Sequence, residues 1–134
     1  MNTPIVNTTF RFVRRMFRQH LPEGFDRFQL DQAVILKNSW VSKGLKRGLE
    51  DEALEILALT ALLCHVGIIE QLNEHTASSQ FIAKCFLEEE GYGKHQIQLL
   101  LHALAVANQD CPPISVLEEI INQDKRVEIG DVWP

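Results

Sequence analysis

Cysteine is scarce and unpaired in this chain. Three cysteines, at positions 64, 85 and 111 of 134 residues, are odd in number and widely spaced. That excludes a disulfide framework and the close C-x-x-C spacing of a structural zinc site. Free thiols suit a reducing interior, so a cytoplasmic protein is expected. Long apolar runs are missing as well. A membrane span needs about 20 consecutive apolar residues, and the longest apolar-rich stretch, 53 to 64, carries Glu55 and Thr60. The opening "MNTPIVNTTF" lacks a basic region ahead of an apolar core, so no signal peptide is expected in it. No low-complexity tract, internal repeat or strand-like alternation is present. The length suits one domain, 1–134, with a core of its own.

The formal charge of −5 hides an asymmetry. Residues 1–50 hold nine Lys/Arg against four Asp/Glu, and residues 51–134 hold four against fourteen. An acidic whole argues against general nucleic-acid binding. The basic first half carries Arg11, Arg14, Arg15 and Arg18, whose i, i+3, i+4, i+7 spacing predicts one stripe on a helix. Such a stripe suits phosphates of a nucleotide, a nucleic acid or lipid headgroups. It equally suits pairing with the acidic half of this chain or of a second copy, or an ordinary solvated face.

Helical spacing recurs along the chain and predicts an all-α globule of about six helices. A first helix is expected over 8–20, with Phe10, Val13 and Phe17 on one face, ended by "LPEG". A second is expected over 28–43, with Leu30, Val34, Val41 and Leu45 in register and Gly44 and Gly48 bracketing a frayed end. The third, 51–64, is acidic in its first turn and apolar almost all round, which predicts the buried central helix. A fourth, 76–90, points Ile82, Cys85 and Phe86 inward and is capped by Gly91. The fifth, 94–107, places Ile97, Leu100, Leu101 and Leu104 on one face. The sixth starts at a Ser115/Glu118 capping box and carries Val116, Leu117, Ile120 and Ile121.

The third helix ends in an unusual way. "ALLCHVGIIEQLNEHTASS" runs an apolar helix straight into Cys64 and His65, and His75 follows. Together with "SQFIAKCFLEEEGYGKHQIQLLLHALAVAN", "VLEEIINQDKRVEIG" and the upstream "HLPEGFDRFQLDQAV", this order resembles the HD-domain superfamily of metal-dependent phosphohydrolases. The likeness runs without gaps over some seventy residues and covers most of the chain. It implies an HD-like helical bundle. It also implies a centre in which imidazoles and carboxylates hold one or two divalent metals and a metal-bound hydroxide attacks phosphorus.

The family's ligand positions are changed here. Its H-T histidine falls on Leu30, its H-D pair on Cys64 and His65, and its later aspartate on Gln123, with Lys125 at the second carboxylate of that segment. Its I-x-A-T threonine falls on Ala107. The resemblance therefore implies a pseudo-phosphohydrolase with no cofactor expected. Such a protein acts as a binding, regulatory or scaffold module on a protein partner or a second copy, or grips a phosphorylated small molecule without cleaving it. The family usually continues beyond this segment, so a shortened domain, or a partner docked near Trp133, is also implied. Two alternatives stay open. One is a phosphohydrolase with an altered Zn, Mn or Fe site on Cys64, His65 and His75, aided by Glu70 or Glu74. The other is an anionic-surface or nucleic-acid binder using the arginine stripe. The plain expectation for Cys64 and His65 is a buried thiol and a hydrogen-bonded imidazole. For His95 and His102, seven apart on the fifth helix, it is ordinary surface or half-buried histidines.

Overall fold

The computed structural model describes residues 2–70 and 75–123. It has six helices and no strand among the described residues: α1 (Pro4–His20), α2 (Phe25–Lys46), α3 (Asp51–Leu63), a 3-10 turn (Val66–Ile69), α4 (Thr76–Glu89), α5 (Lys94–Ala107) and α6 (Val116–Gln123). The all-α expectation holds. The expectations for Glu74, Lys125 and Trp133 concern positions outside the described residues.

Helix α3 is the axle of the bundle. Leu54 and every residue from Ile56 to Leu63 are buried, and the helix packs against α1, α2, α5 and α6. An apolar surface on all sides can be stable in water only when other helices cover all sides. The stretch Asp51–Ile69, 19 residues with mean hydropathy 1.8, is long and apolar enough to cross a membrane by length and composition. It is longer than the run foreseen from residues 53–64. Since 72% of it is buried inside the protein, it is accounted for as the core helix.

Helix α1 starts four residues earlier than its periodicity suggested. Thr3 is extended at the N-cap and Pro4 opens the helix, where a missing N–H costs nothing. Val6, Thr9, Val13 and Phe17 form its buried face.

Helix α2 corrects the expected register. Its buried residues are Phe25, Gln29, Ala33, Trp40, Val41 and Gly44. Leu45 is 61% exposed, and Leu30 and Val34 are half-buried. The physical reason is the close approach of α2 to α3. A Cβ on Gly44 would lie 2.7 Å from Leu54 Cδ2 and 2.8 Å from Leu57 Cδ1. The seam therefore runs through Gly44, with Trp40 buried one turn earlier. The end of α2 is also not frayed. Leu49 N–H donates to Gly44 O (3.0 Å) and Gly48 N–H to Leu45 O (3.1 Å), with Gly48 at φ +73°. That pair of bonds is a Schellman cap.

The remaining helices follow expectation with two exceptions. On α4, Ser79, Ala83, Phe86 and Leu87 are buried, but Cys85 is exposed rather than inward. On α6, Ile120 and Ile121 are buried while Val116 is 41% exposed. The α6 cap is real: Ser115 Oγ accepts from Glu118 N–H at 3.2 Å. The Glu118 carboxylate reaches one residue further back than the usual box, accepting from Ile114 N–H at 3.0 Å.

Candidate functional site

The C-terminal end of α3 is where the candidate site residues gather. A helix leaves its last carbonyls without partners inside the helix, and a buried carbonyl must find one elsewhere. Two side chains from other helices supply the bonds for Cys64 O. Ser79 Oγ, on α4, donates at 3.3 Å, and Asn108 Nδ2, just past α5, donates at 3.1 Å. Ser79 Oγ in turn accepts Gly67 N–H at 2.8 Å. One serine hydroxyl thus closes the chain's turn and ties it to α4.

Gly67 makes that closeness possible. A Cβ there would lie 2.5 Å from His75 O and 2.6 Å from Ser79 N, which are backbone atoms that cannot swing aside. The turn places two imidazoles together. His65 Nδ1 and His75 Nε2 are 2.7 Å apart, with the rings edge-on at a centroid distance of 4.9 Å. At that separation one nitrogen donates and the other accepts, so a single proton sits between the rings. His75 is buried and His65 half-buried.

Of the three residues weighed as a rebuilt metal set, the structure brings together His65 and His75. Cys64 is fully buried, and its thiol donates to Ala61 O at 3.5 Å. Glu70 is exposed. Leu30 is half-buried on α2 and packs against the core, and Gln123 is exposed at the last position of α6. Among the described residues no three His, Cys, Asp or Glu side chains form a group able to hold a metal. The donor chemistry gives the same answer. Leu30 has no lone pair, a carboxamide is a weak ligand, and the facing nitrogens of His65 and His75 are engaged with each other. Of the described residues weighed as ligands, His65 and His75 are the two that meet, each through one ring nitrogen.

Three further clusters lie away from this pair of histidines. His102 Nδ1 donates to Glu118 Oε2 at 2.6 Å, and the buried Glu118 carboxylate joins α5 to α6. Neither the sixteen-residue separation nor the helix pattern signalled that pair. At the opposite end of α3, Tyr92 Oη donates to Glu55 Oε1 at 2.9 Å and Gln96 Nε2 to Glu52 Oε1 at 3.2 Å. These residues line an open cleft of about 440 Å³ with Thr3 and Asp51. Burial holds the Tyr92 phenol well above its ordinary pKa, helped by the hydrogen bond to Glu55 and the charges of Glu55 and Glu52.

The third cluster is the arginine stripe. Arg11, Arg14, Arg15 and Arg18 are all exposed. Arg14 lies over the Phe10 ring at 5.6 Å and Arg15 over Phe12 at 5.7 Å. Arg11 Nη2 donates to Thr8 Oγ1 at 3.4 Å. None of the four makes an ion pair with a described carboxylate. Pairing with the acidic half of the same chain is therefore absent among the described residues. Compared with known proteins, the chain matches no family model, no curated protein and no solved structure.

Proposed function

We propose that this chain is a catalytically silent, HD-like binding module, a pseudo-phosphohydrolase whose helical frame outlived its metal chemistry. The observation that carries this reading is the hydrogen bond between His65 and His75 at 2.7 Å. One ring nitrogen of His65, just past the central helix, is spent on one of His75, at the start of α4, next to a Cys64 carbonyl held by Ser79 and Asn108. A hydrolytic centre needs neutral imidazoles and carboxylates free to face a cation. Here those roles are exchanged for bonds that hold the helix ends together, and the module's work passes to its surface, on a protein partner or a phosphorylated ligand.

The test is a hydrolysis assay of the full chain with a panel of nucleotides and added Mn, Fe or Zn. The expected result is no turnover above that of the metal alone. Turnover that disappears in Cys64→Ala or His65→Ala would overturn the proposal and favour a rebuilt centre on Cys64, His65 and His75.

A further inference from the structure

The arginine face of α1 has no carboxylate partner within the described chain, and the chain carries a surface of opposite charge near the other end of the same helix. We propose that the two surfaces meet between two copies, so that the protein self-associates through a two-fold, charge-paired interface along α1. This goes beyond the binding reading above and does not depend on the fate of the α3 end.

The basic half of the interface is uniform. Helix α1 contains no acidic residue, and its four arginines lie opposite the buried face of Val6, Thr9, Val13 and Phe17. Phe10 and Phe12 lie beneath Arg14 and Arg15, which limits the freedom those guanidinium groups would lose on binding. Arginine also presents a planar fork that matches carboxylates in pairs and is weakly hydrated, so it is suited to interfaces.

The acidic half lies at the other end of the same helix. Thr3, at the N-cap of α1, lines the cleft that holds Asp51, Glu52 and Glu55. The Tyr92–Glu55 bond brings the end of α4 to the same place. Glu50, Asp51, Glu52, Glu88, Glu89 and Glu90 are all exposed, with Lys94 as a nearby exposed cation.

Geometry decides the symmetry. Thr3 and the Arg14/Arg15 pair are about 17 Å apart along α1 at about 1.5 Å per residue. If two α1 helices lie antiparallel, with the two-fold axis at the level of Thr8, each arginine stripe is carried to the partner's acidic end. Both charge pairs form at once, as a closed two-fold interface requires. The alternative occupant, a nucleic acid or other phosphate polyanion, would meet the arginines but has no cations to offer the acidic end of the same surface, whereas an antiparallel copy pairs both.

The test is the solution mass of the full chain by analytical ultracentrifugation, at about 0.1 M and about 1 M salt, where the screening length falls from about 10 to about 3 Å. The expected result is a doubled mass at the lower salt that falls to a single chain at the higher. Arg14→Glu with Arg15→Glu should be a single chain at both, as should Glu88→Lys with Glu89→Lys. Mixing those two variants should restore the doubled mass, because each supplies the charge the other has reversed. Circular dichroism checks that both variants keep their helix content. A wild-type chain that stays single at about 0.1 M salt, or a dimer that ignores both reversals, overturns the proposal. So does a single chain that binds RNA or anionic vesicles through the arginines, which would assign the stripe to phosphate.

Discussion

At its N-terminal end α3 presents Asp51, Glu52 and Glu55 to an open cleft, where Tyr92 and Gln96 donate to two of the carboxylates. At its C-terminal end the same helix meets buried surroundings, where the Cys64 carbonyl, the Gly67 N–H and the Ser79 hydroxyl bond to one another and His65 bonds to His75. One end keeps charge in contact with water, and the other has converted polar groups into ties between helices. A ring nitrogen that shares a proton with its neighbour does not bind a cation at the same time, although each imidazole carries a second nitrogen. On the proposed reading the end marked by Cys64 and His65 serves as a structural tie, while the exposed carboxylates Asp51 and Glu52 lie at the other end.

The sharpest way to break this contrast is to crowd the closed end. Gly67→Val should destabilise the chain by about 3 kcal/mol, the upper part of the range for overpacking, because the new carbon meets backbone rather than a flexible side chain. The denaturant midpoint should fall with the slope unchanged. A Gly67→Val midpoint within error of wild type would show that the turn is not closely packed. Ser79→Ala comes next. It leaves Gly67 N–H without an acceptor and Cys64 O with one donor fewer, at a cost of about 1–3 kcal/mol, measured in the same way.

At the open end the same kind of change should do less. Tyr92→Phe removes one bond to a half-buried carboxylate, worth about 1 kcal/mol. The sign of its pH dependence is fixed. The folded phenol keeps its proton above the ordinary value of about 10, whereas the unfolded phenol gives its proton up. The Tyr92 contribution is therefore full below pH 10 and is lost as pH rises above it. Tyr92 is the chain's single tyrosine, so the ultraviolet phenolate signal reports this group alone, and it should appear later in the folded than in the unfolded protein. The smallest effect belongs to the arginine face. Arg14→Glu with Arg15→Glu should shift the stability of the single chain by no more than about 0.5 kcal/mol per site, because these side chains touch no described carboxylate.

Large apolar side chains made much of the fold legible. Ile97, Leu100 and Leu104 reveal the inner face of α5, and the apolar surround of α3 reveals the core helix. Small side chains hid the rest. The α2 seam is set by Gly44, which carries little hydrophobic signal, so Leu45 looked inward when it is outward. Cys85 misled in the same way, because thiols are commonly buried and α4 turns this one outward. At the site, Cys64, His65 and His75 stood out by residue type. The meeting of the two histidines depends on a 3-10 turn at Gly67, whose geometry no helical spacing encodes. Ser79 and Asn108 left no pattern, since each bonds to a main-chain carbonyl, and every residue has one.

The central claim is that the polar groups at the C-terminal end of α3 are committed to one another. Metal content measures it most directly. Elemental analysis of the tag-free chain, before and after incubation with Mn, Fe and Zn, should find no metal approaching one per chain. One tightly held metal per chain, lost in Cys64→Ala or in His75→Ala, would contradict the account and show that this end of the helix is a working centre.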